Sequence, residues 1–475
     1  MTLPASWHGN WSGLNAVVLG LGKSGFSVAD TLIELGVKVT VIAKQAEPET
    51  LDLAELIGAT VLHGDDPSQL QSLSATPDFA VVSPGFRPSH PLVLALQETG
   101  VELLTDIDLA WALKDKTPRI AKWLTITGTN GKTTTSELLA HMLRTGGFRA
   151  VACGNIGNPI LDMIRDPEGF DYLIVELSSF QLHYSHAVSA QASAFLNFAE
   201  DHLDWHGGVE EYFASKAKVF NHSSVAIVFN EEDKRTFQAA QQAEVLEGAR
   251  GVSFTLGIPA RSMVGYVEEF LVDRAFLAER AEAALEVAET SDLEKIGEVT
   301  IQLRQNVAAA TAMARAVDLP PAVIKHAIST FKLSPHRVQL VADRAGVRYI
   351  DDSKATNAHA AAGSLSSFDS IVWIVGGLLK GVDISGLLKA HTMRLKAAVL
   401  IGADTSELER LFSELLPNLP LRVMTGEPMS QAVKVAAEMA SEGDTVLLAP
   451  AAASMDQYRD YVDRGDQFQA AVRGL

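Results

Sequence analysis

The sequence predicts an α/β protein with three domains, each a mostly parallel sheet covered by helices. Two observations lead to this class. Short apolar runs alternate with helix-length segments along nearly the whole chain, and two strand-to-helix junctions carry glycine-rich loops. At 475 residues the chain has room for roughly two to four domains. We place the boundaries at polar, proline-containing connectors, which gives domains of 1–117, 118–332 and 333–475.

Composition and charge exclude several classes of protein. Apolar residues make up 47% of the chain and charged residues 20%, which is typical of globular domains and not of disorder. The net charge of −19 argues against nucleic acid as a partner. The sequence has no membrane-length apolar run and no secretory signal pattern, so we expect no membrane insertion and a cytoplasmic location. The single cysteine, Cys153, fits a reducing compartment.

The first domain begins with a glycine loop between a strand and a helix. The apolar run 16–19 precedes Gly20-Leu21-Gly22-Lys23-Ser24-Gly25, and a helical segment follows through Leu35. This pattern predicts a Rossmann-like βα unit that binds a diphosphate at the helix N-terminus. An NAD site would need an acid after the second strand, 38–42, but that strand is followed by Ala43.

A second loop of the first domain lies at the same predicted sheet edge. Ser83-Pro84-Gly85 follows the strand 78–82 directly, where open α/β sheets bind their ligands. The segment can equally be a simple turn.

The central domain carries the most informative loop. Thr127-Gly128-Thr129-Asn130-Gly131-Lys132-Thr133-Thr134 stands between an apolar strand and a helix. Backbone N–H groups of such a loop bind phosphates, Lys132 adds a positive charge, and the Thr133 hydroxyl can ligate Mg²⁺. The spacing is a shortened form of the P-loop pattern, and it predicts a mononucleotide-binding domain with a nucleoside triphosphate site.

Polar side chains follow later strands of this domain. Glu176 ends the strand 172–175 and can hold Mg²⁺. His202 lies in an acidic loop, 199–207, at the same predicted edge, so we treat it as functional. Lys216 shares a helix face with aromatic residues, and spacing alone suggests a lysine whose stem is buried and whose ammonium reaches solvent. Asn306 is either a helix N-cap or a contact to the nucleotide base.

Residues 251–303 give a weak pattern. Two short apolar pieces predict a small antiparallel patch, and the Glu/Ala-rich stretch 276–288 suggests a helix. The pattern assigns no function to this stretch.

The third domain repeats the alternation of strands and helices, which predicts a second Rossmann-like domain. Arg337 stands in the connector Pro335-His336-Arg337, where it can reach a terminal phosphate. Three predicted strand ends offer Lys354, Lys380 and Ser454, groups suited to a small carboxylate ligand. The alternative is ordinary turn residues with solvated lysines.

Together, seven segments of the chain resemble the Mur ligases. The segments are Gly128–Thr133, Gly154–Gly157, Glu176–Gln181, Asp201–Asp204, Pro335–Arg337, Asp352–Asn357 and Ala453–Tyr458. The resemblance covers nearly the whole chain. The discriminating segment is Asp352-Ser353-Lys354-Ala355-Thr356-Asn357, which favours the D-glutamate-adding branch of the family over a diamino-acid-adding or folylpolyglutamate-type ligase.

The resemblance implies an enzyme that adds D-glutamate to UDP-N-acetylmuramoyl-L-alanine in peptidoglycan precursor synthesis. The alanine carboxylate takes the γ-phosphoryl group of ATP, and the D-glutamate amine then displaces phosphate. ATP and two Mg²⁺ ions are the implied cofactors, and we predict a monomer.

The resemblance also implies roles for individual residues. It assigns ATP binding to Gly128, Thr129, Asn130, Gly131, Lys132, Thr133, Thr134, Asn306, Arg337 and Asp352. It assigns the UDP substrate and D-glutamate to Gly20, Leu21, Gly22, Ser24, Ser83, Pro84, Gly85, Ser178, Lys354, Thr356, Lys380, Ser454 and Tyr461. The implied metal ligands are Thr133, Glu176, His202 and a carbamylated Lys216. The implied catalytic residues are Lys132, Asn155, His202, Lys216 and Arg337.

The sequence departs from the family pattern at two positions. Ala43 stands where an acid often lies near uracil, which leaves the uracil contacts open, and Gln305 replaces a histidine. Two alternatives come from other classes: an NAD(P)-dependent oxidoreductase built on the first domain, and a non-catalytic ATP-binding module.

Overall fold

The computed structural model describes residues 3–379 and 381–475 and contains three α/β sheets. The predicted fold class is confirmed. The sheets lie within residues 15–104, 122–289 and 339–448. The exact domain boundaries after residues 117 and 332 stay predictions.

The first sheet is entirely parallel, in the order β3-β2-β1-β4-β5. Its strands are β1 (Asn15–Leu19), β2 (Lys38–Ala43), β3 (Thr60–His63), β4 (Phe79–Val82) and β5 (Glu102–Leu104). Its helices are α1 (Lys23–Glu34), α2 (Pro48–Leu56), α3 (Pro91–Glu98) and α4 (Asp106–Ala112). The central strand β1 is almost fully buried, as a strand covered on both faces should be.

The second sheet has the order β14-β13-β12-β11-β10-β9-β6-β8-β7. Its strands are β6 (Lys122–Thr127), β7 (Ala150–Gly154), β8 (Tyr172–Glu176), β9 (Ala192–Phe195), β10 (Ala226–Asn230), β11 (Arg250–Phe254), β12 (Met263–Val267), β13 (Phe270–Asp273) and β14 (Leu285–Glu289). The helices are α5 (Lys132–Thr145), α6 (Ile160–Ile164), α7 (Ser179–Tyr184), α8 (Leu203–His206), α9 (Val209–Ala217), α10 (Lys234–Gln241), α11 (Thr290–Leu293), α12 (Ile301–Arg315) and α13 (Pro321–Thr330). Because β6 lies between β8 and β9, the loops after these three strands share one sheet edge.

Two local predictions in this region are wrong. The stretch 276–288 is not a helix: it forms turns and then β14, and the Arg274 guanidinium holds the turn by donating to the Arg280 and Ala281 carbonyls. These tertiary contacts outweigh helix propensity. Asn306 is not an N-cap, because α12 begins at Ile301 and the Thr300 hydroxyl accepts from the Leu303 N–H. The predicted antiparallel patch is confirmed as β12 and β13.

The third sheet has the order β15-β16-β20-β17-β18-β19 and is parallel except at the edge strand β15. Its strands are β15 (Gln339–Arg344), β16 (Val347–Asp351), β17 (Ile371–Gly376), β18 (Leu395–Gly402), β19 (Leu421–Thr425) and β20 (Thr445–Leu448). Its helices are α14 (Ala358–Ser366), α15 (Ser385–His391), α16 (Ser406–Leu415), α17 (Met429–Met439) and α18 (Tyr461–Arg473).

The chain forms two compact units. The first contains residues 1–287 and 307–327, and the second contains residues 288–306 and 328–475. Across the described ranges, 3–379 and 381–475, we find no helix with the length and apolarity needed to cross a membrane.

Candidate active site

The glycine loop between β6 and α5 is fixed by a residue that sequence reasoning missed. The Asn130 N–H donates to the Asn197 Oδ1 at 2.9 Å, and the Asn197 amide donates back to the Asn130 carbonyl at 3.0 Å. The Thr129 N–H also donates to the Asn197 carbonyl. Gly131 adopts a left-handed conformation, φ 80°, at the N-terminus of α5. Asn197 could have been found from its place just after β9, the strand beside β6.

Two lysines meet at this loop. The Lys132 Nζ and the Lys216 Nζ both donate to the Gly128 carbonyl, at 2.9 and 2.7 Å. Lys216 is only 2% exposed, so the interpretation of a solvent-reaching ammonium is wrong. Burial, followed by the charge of Lys132, holds the pKa of Lys216 well below its ordinary value, against the opposing influence of Asp201 and Glu176.

Glu176 lies at the end of β8 with one oxygen unused. Its Oε1 accepts from the Asn155 amide at 2.9 Å, whereas its buried Oε2 has no hydrogen-bond partner in the described part of the chain. A buried carboxylate oxygen left unpaired is costly, which indicates a site for a ligand such as a cation. Gly154 permits the close approach of β7 to the end of β8, because a Cβ on residue 154 would lie 2.5 Å from the Glu176 carbonyl oxygen.

His202 and Lys216 both lie close to the Tyr212 ring. The His202 ring centroid is 6.4 Å from that of Tyr212, and the Lys216 Nζ is 5.0 Å from it. His202 has a left-handed backbone, φ 53°, at the start of α8, and its side chain is 43% exposed. The Tyr212 hydroxyl lies 3.2 Å from the Thr129 Oγ1, so the same tyrosine also contacts the glycine loop.

The first domain brings its two predicted loops together. A Cβ on Gly20 would lie 3.1 Å from the Ser83 Oγ, so the loops of residues 20–24 and 83–85 pack at one sheet edge. Gly25 is required there, because a Cβ would lie 2.1 Å from the Gly20 carbonyl oxygen.

Ser178, predicted to bind substrate, is tied to the first domain through a chain of hydrogen bonds. It is the N-cap of α7, and its hydroxyl and its N–H both donate to the Gln181 Oε1 at 3.1 Å. The Gln181 Nε2 donates to the Asp106 carboxylate at 3.2 Å. Burial raises the pKa of Asp106 to about 6.

In the second unit, Arg337 lines a cavity of about 710 Å³. The cavity walls come from the connector and from the segment before α12: Glu294, Ile296, Gly297, Glu298, Val299, Lys332, Leu333, Ser334, Pro335, Val338, Gln339 and Leu340. Asp352 is 7% exposed and bonds internally to the Val338 N–H and the Ser364 hydroxyl. Asn306 lies within α12 and is buried.

Four of the third-domain residues predicted for the amino-acid substrate, Lys354, Thr356, Ser454 and Tyr461, lie on segments at one sheet edge. The Lys354 Nζ is 4.1 Å from the centroid of the Tyr461 ring. Arg464, which sequence reasoning missed, is fully buried and donates to the Ser353 and Ala452 carbonyls. It thereby joins the loop of Lys354 to the loop of Ser454. Thr356 follows on the first of these loops, and its N–H donates to the Lys354 carbonyl.

The structure leaves one predicted site residue undescribed, and it groups the others by unit. Lys380 lies outside the described residues. Lys132, Thr133, Asn155, Glu176, His202 and Lys216 belong to the first unit, and Asn306, Arg337, Asp352, Lys354, Thr356, Ser454 and Tyr461 to the second. No pattern in the sequence marks Arg464, because a lone arginine in a helix is usually a surface residue.

Three family models match the chain in succession. They are the N-terminal domain of MurD-like Mur ligases over residues 14–105, the Mur ligase middle domain over 126–290 and the Mur ligase glutamate ligase domain over 336–452.

Two curated relatives and one solved structure extend these matches. The chain is 49% identical to a UDP-N-acetylmuramoylalanine–D-glutamate ligase of Leifsonia xyli subsp. xyli, over 98% of this chain and 94% of the relative. It is 42% identical to the ligase of the same name from Tropheryma whipplei, over 99% of this chain and 98% of the relative. The MurF ligase of Thermotoga maritima, solved in complex with ADP, superposes with a TM-score of 0.57 at 16% identity, covering 92% of this chain and 95% of that one.

Proposed function

This chain belongs to the Mur ligase family, and from that membership we propose that it adds D-glutamate to UDP-N-acetylmuramoyl-L-alanine, with ATP as the phosphoryl donor. Both relatives above carry this activity in their names. The reaction would belong to peptidoglycan precursor synthesis. A cytoplasmic location and a monomeric state stay predictions.

One observation supports the proposal above the others. Lys132 and Lys216 share the Gly128 carbonyl, and Glu176 stands near Lys216 with an unpaired oxygen. The Lys132 ammonium attracts the oxygens of a triphosphate, the neighbouring Lys216 amine can be converted to an anionic metal ligand, and a free carboxylate oxygen suits a divalent cation. A structural role alone would not explain why both features occur together.

Magnesium fits the donors that this chain offers. Among residues 3–379 and 381–475, no three His, Cys, Asp or Glu side chains cluster as a ready-made metal site. Mg²⁺ commonly takes one or two protein ligands and completes its shell with phosphate and water. Thr133, Glu176, His202 and Lys216 would hold the ions, which would neutralise charge on the phosphate oxygens.

Lys216 would become a ligand after reaction with CO₂. Its lowered pKa favours the neutral amine, which attacks carbon dioxide; an N–C bond forms, one proton leaves, and a carbamate anion remains. The carbamate offers oxygen atoms of the kind that Mg²⁺ prefers. Its new charge would also relieve the repulsion from Lys132.

The remaining residues would bind and orient the substrates. Lys132 would leave its loop carbonyls for the β- and γ-phosphates, with the loop N–H groups around it. The alanine carboxylate then attacks the γ-phosphorus and ADP leaves. The D-glutamate amine attacks the resulting acyl phosphate, loses a proton, and phosphate departs from the tetrahedral intermediate. Asn155 would orient Glu176 throughout.

The family resemblance also gives roles to residues of the second unit. Arg337, which lines the cavity described above, would contact the nucleotide, and Asn306 would lie near the nucleotide as well. Lys354, Thr356, Lys380, Ser454 and Tyr461 would hold the two carboxylates of D-glutamate, with Arg464 fixing their loops.

The test is release of phosphate from ATP. We expect release only when both UDP-N-acetylmuramoyl-L-alanine and D-glutamate are present. Replacing D-glutamate with a diamino acid is the matched control, and we expect no release with it. A preference for the diamino acid would contradict the D-glutamate assignment. Binding of a dinucleotide without ATP turnover would favour the oxidoreductase alternative.

A further inference from the structure

The connector before β15 carries two left-handed residues, one on each side of Arg337. His336 has φ 64° and Val338 has φ 44°. In a β-branched residue such as Val338 this conformation is strained, because the Cβ approaches the following carbonyl oxygen. Such strain persists only where the surrounding structure holds the backbone in place.

Buried hydrogen bonds hold the connector at both left-handed positions. The Val338 N–H donates to the Asp352 Oδ1 at 3.3 Å. The His336 Nδ1 lies 2.7 Å from the Asp351 Oδ2, and the His336 carbonyl accepts from the Lys354 N–H at 3.2 Å. Asp351 is fully buried, so this pairing does not compete with water.

Helix α18 supports the same arrangement from the other side. Gln469 donates its amide to the Asp351 Oδ2 at 2.9 Å. Gly465 lies against the His336 ring, where an added Cβ would stand 2.2 Å from the Nδ1. The connector is therefore packed against both the end of β16 and α18.

Arg337 is the one residue of this segment that the contacts leave available. Its side chain lines the 710 Å³ cavity, donates no hydrogen bond to the residues that the structure describes, and lies within electrostatic range of Asp352. A half-buried guanidinium whose N–H donors are unused is suited to an anionic ligand such as phosphate.

We propose that Asp351, Asp352 and the left-handed backbone of Val338 form a connector clamp that presents Arg337 to the phosphates of a nucleoside triphosphate. Asp352 then acts through the Val338 N–H, as a positioning residue. The identity of the anion rests on the proposed function; the clamp itself rests on the geometry of the connector.

Two variants of Val338 test the clamp. Val338→Ala and Val338→Gly both remove the two γ-methyl groups, but only glycine also lacks the Cβ and so relieves the left-handed strain. We expect the folding equilibrium of the glycine variant to exceed that of the alanine variant by roughly fivefold or more. We also expect it to bind a non-hydrolysable ATP analogue with Mg²⁺ about fivefold more weakly, because a glycine connector samples other conformations.

A kinetic comparison separates this role from a general loss of structure. In the glycine variant the KM for ATP should rise, while kcat and the KM for D-glutamate stay within about twofold of the alanine variant. Ala345→Gly is the matched control: Ala345 is exposed in the turn before β16 with φ 50°, so it should gain stability without any change in nucleotide affinity.

Three outcomes would overturn the clamp. Equal stability of the alanine and glycine variants would show that Val338 is not strained. Greater stability of the glycine variant with equal nucleotide affinity would show that the strain does not position Arg337. Failure of the wild-type chain to bind the analogue at all would overturn the proposed function together with the clamp.

Discussion

Two lysine side chains donate to one carbonyl oxygen in the central domain, and burial together with the charge of Lys132 governs the chemistry of Lys216. Both charges face the Gly128 carbonyl, and Lys216 has no solvent to screen it. The resulting fall in its pKa favours a neutral, nucleophilic amine. A lysine used only for structure would gain nothing from a position next to a second lysine.

We expect Lys216→Ala to lower kcat for phosphate release by about a hundredfold or more, because the variant loses an anionic ligand beside the phosphates. Excess bicarbonate should not restore activity. Lys218→Ala is the matched control, since Lys218 donates to the His183 carbonyl away from the loop; steady-state rates there should stay within about threefold. Full activity of Lys216→Ala would remove the carbamate from the mechanism.

Single residues were predictable from sequence only where a motif fixed their geometry. The loop residues and Glu176 lie where strand order places them. Spacing put Lys216 on the correct helix face, but it carries no information about depth, so the burial of its ammonium was missed. Arg464 was missed because its partners are backbone carbonyls distant in sequence.

Helix α4 of the first domain and helix α7 of the central domain are joined by hydrogen bonds. Asp106 at the start of α4 accepts from the Gln181 Nε2 of α7, and the Gln181 Oε1 in turn accepts from the N–H of Ser178, the N-cap of α7. Asp108 accepts from the Ser185 hydroxyl at the other end of α7. Buried carboxylates therefore hold α7 at both ends, and a shift of α4 would be transmitted to Ser178.

We expect the stability of the wild type, relative to Asp106→Asn, to fall as the pH rises from about 4 to 6. Burial raises the folded pKa of Asp106 from 3.8 to about 6, so the folded state binds the extra proton in that window and loses this advantage above it. The change should be roughly 2–3 kcal/mol. Asp352, also raised to about 6, is common to both proteins and cancels.

Urea unfolding at each pH measures this difference. Asp52→Asn, at an exposed site on α2, is the control for the loss of one charge. A difference that does not vary between pH 4 and 6 would contradict an ionised, buried Asp106.

The elements themselves were mostly predictable, and the failures have one cause. Alternating apolar runs located the parallel strands, since fully buried strands leave a clear pattern. The stretch 276–288 was misassigned because its Glu and Ala residues favour helix locally, whereas pairing in the sheet and the contacts of Arg274 decide the outcome.

At the scale of the whole molecule, a net charge of −19 opposes anionic ligands. Lys132 in the first unit and Arg337 in the second supply local positive charge instead. Screening by salt should weaken the unfavourable field of the whole molecule more than the direct contacts of these two half-buried side chains. Nucleotide affinity should therefore depend on these few side chains.

We expect ADP with Mg²⁺ at about 100 times its Kd to stabilise the wild type by about 2.7 kcal/mol. Lys132→Ala should lose most of this gain while its ligand-free stability stays within about 1 kcal/mol, because the bonds that the Lys132 Nζ donates to the Gly128 and Thr129 carbonyls are net worth little to folding. Lys23→Ala, in the glycine loop of the first domain, is the matched control and should keep the gain. Thermal unfolding with and without ADP measures it. An equal gain in both variants would place the nucleotide elsewhere.

The paired amides of Asn130 and Asn197 give the glycine loop its shape before any ligand arrives. Glycine-rich segments usually lose much conformational entropy when they close around a phosphate. In this chain the loop loses that entropy when the protein folds, before the ligand binds. The nucleotide would then bind to a preformed loop, and its affinity would be set by charge and by the loss of water from the phosphates.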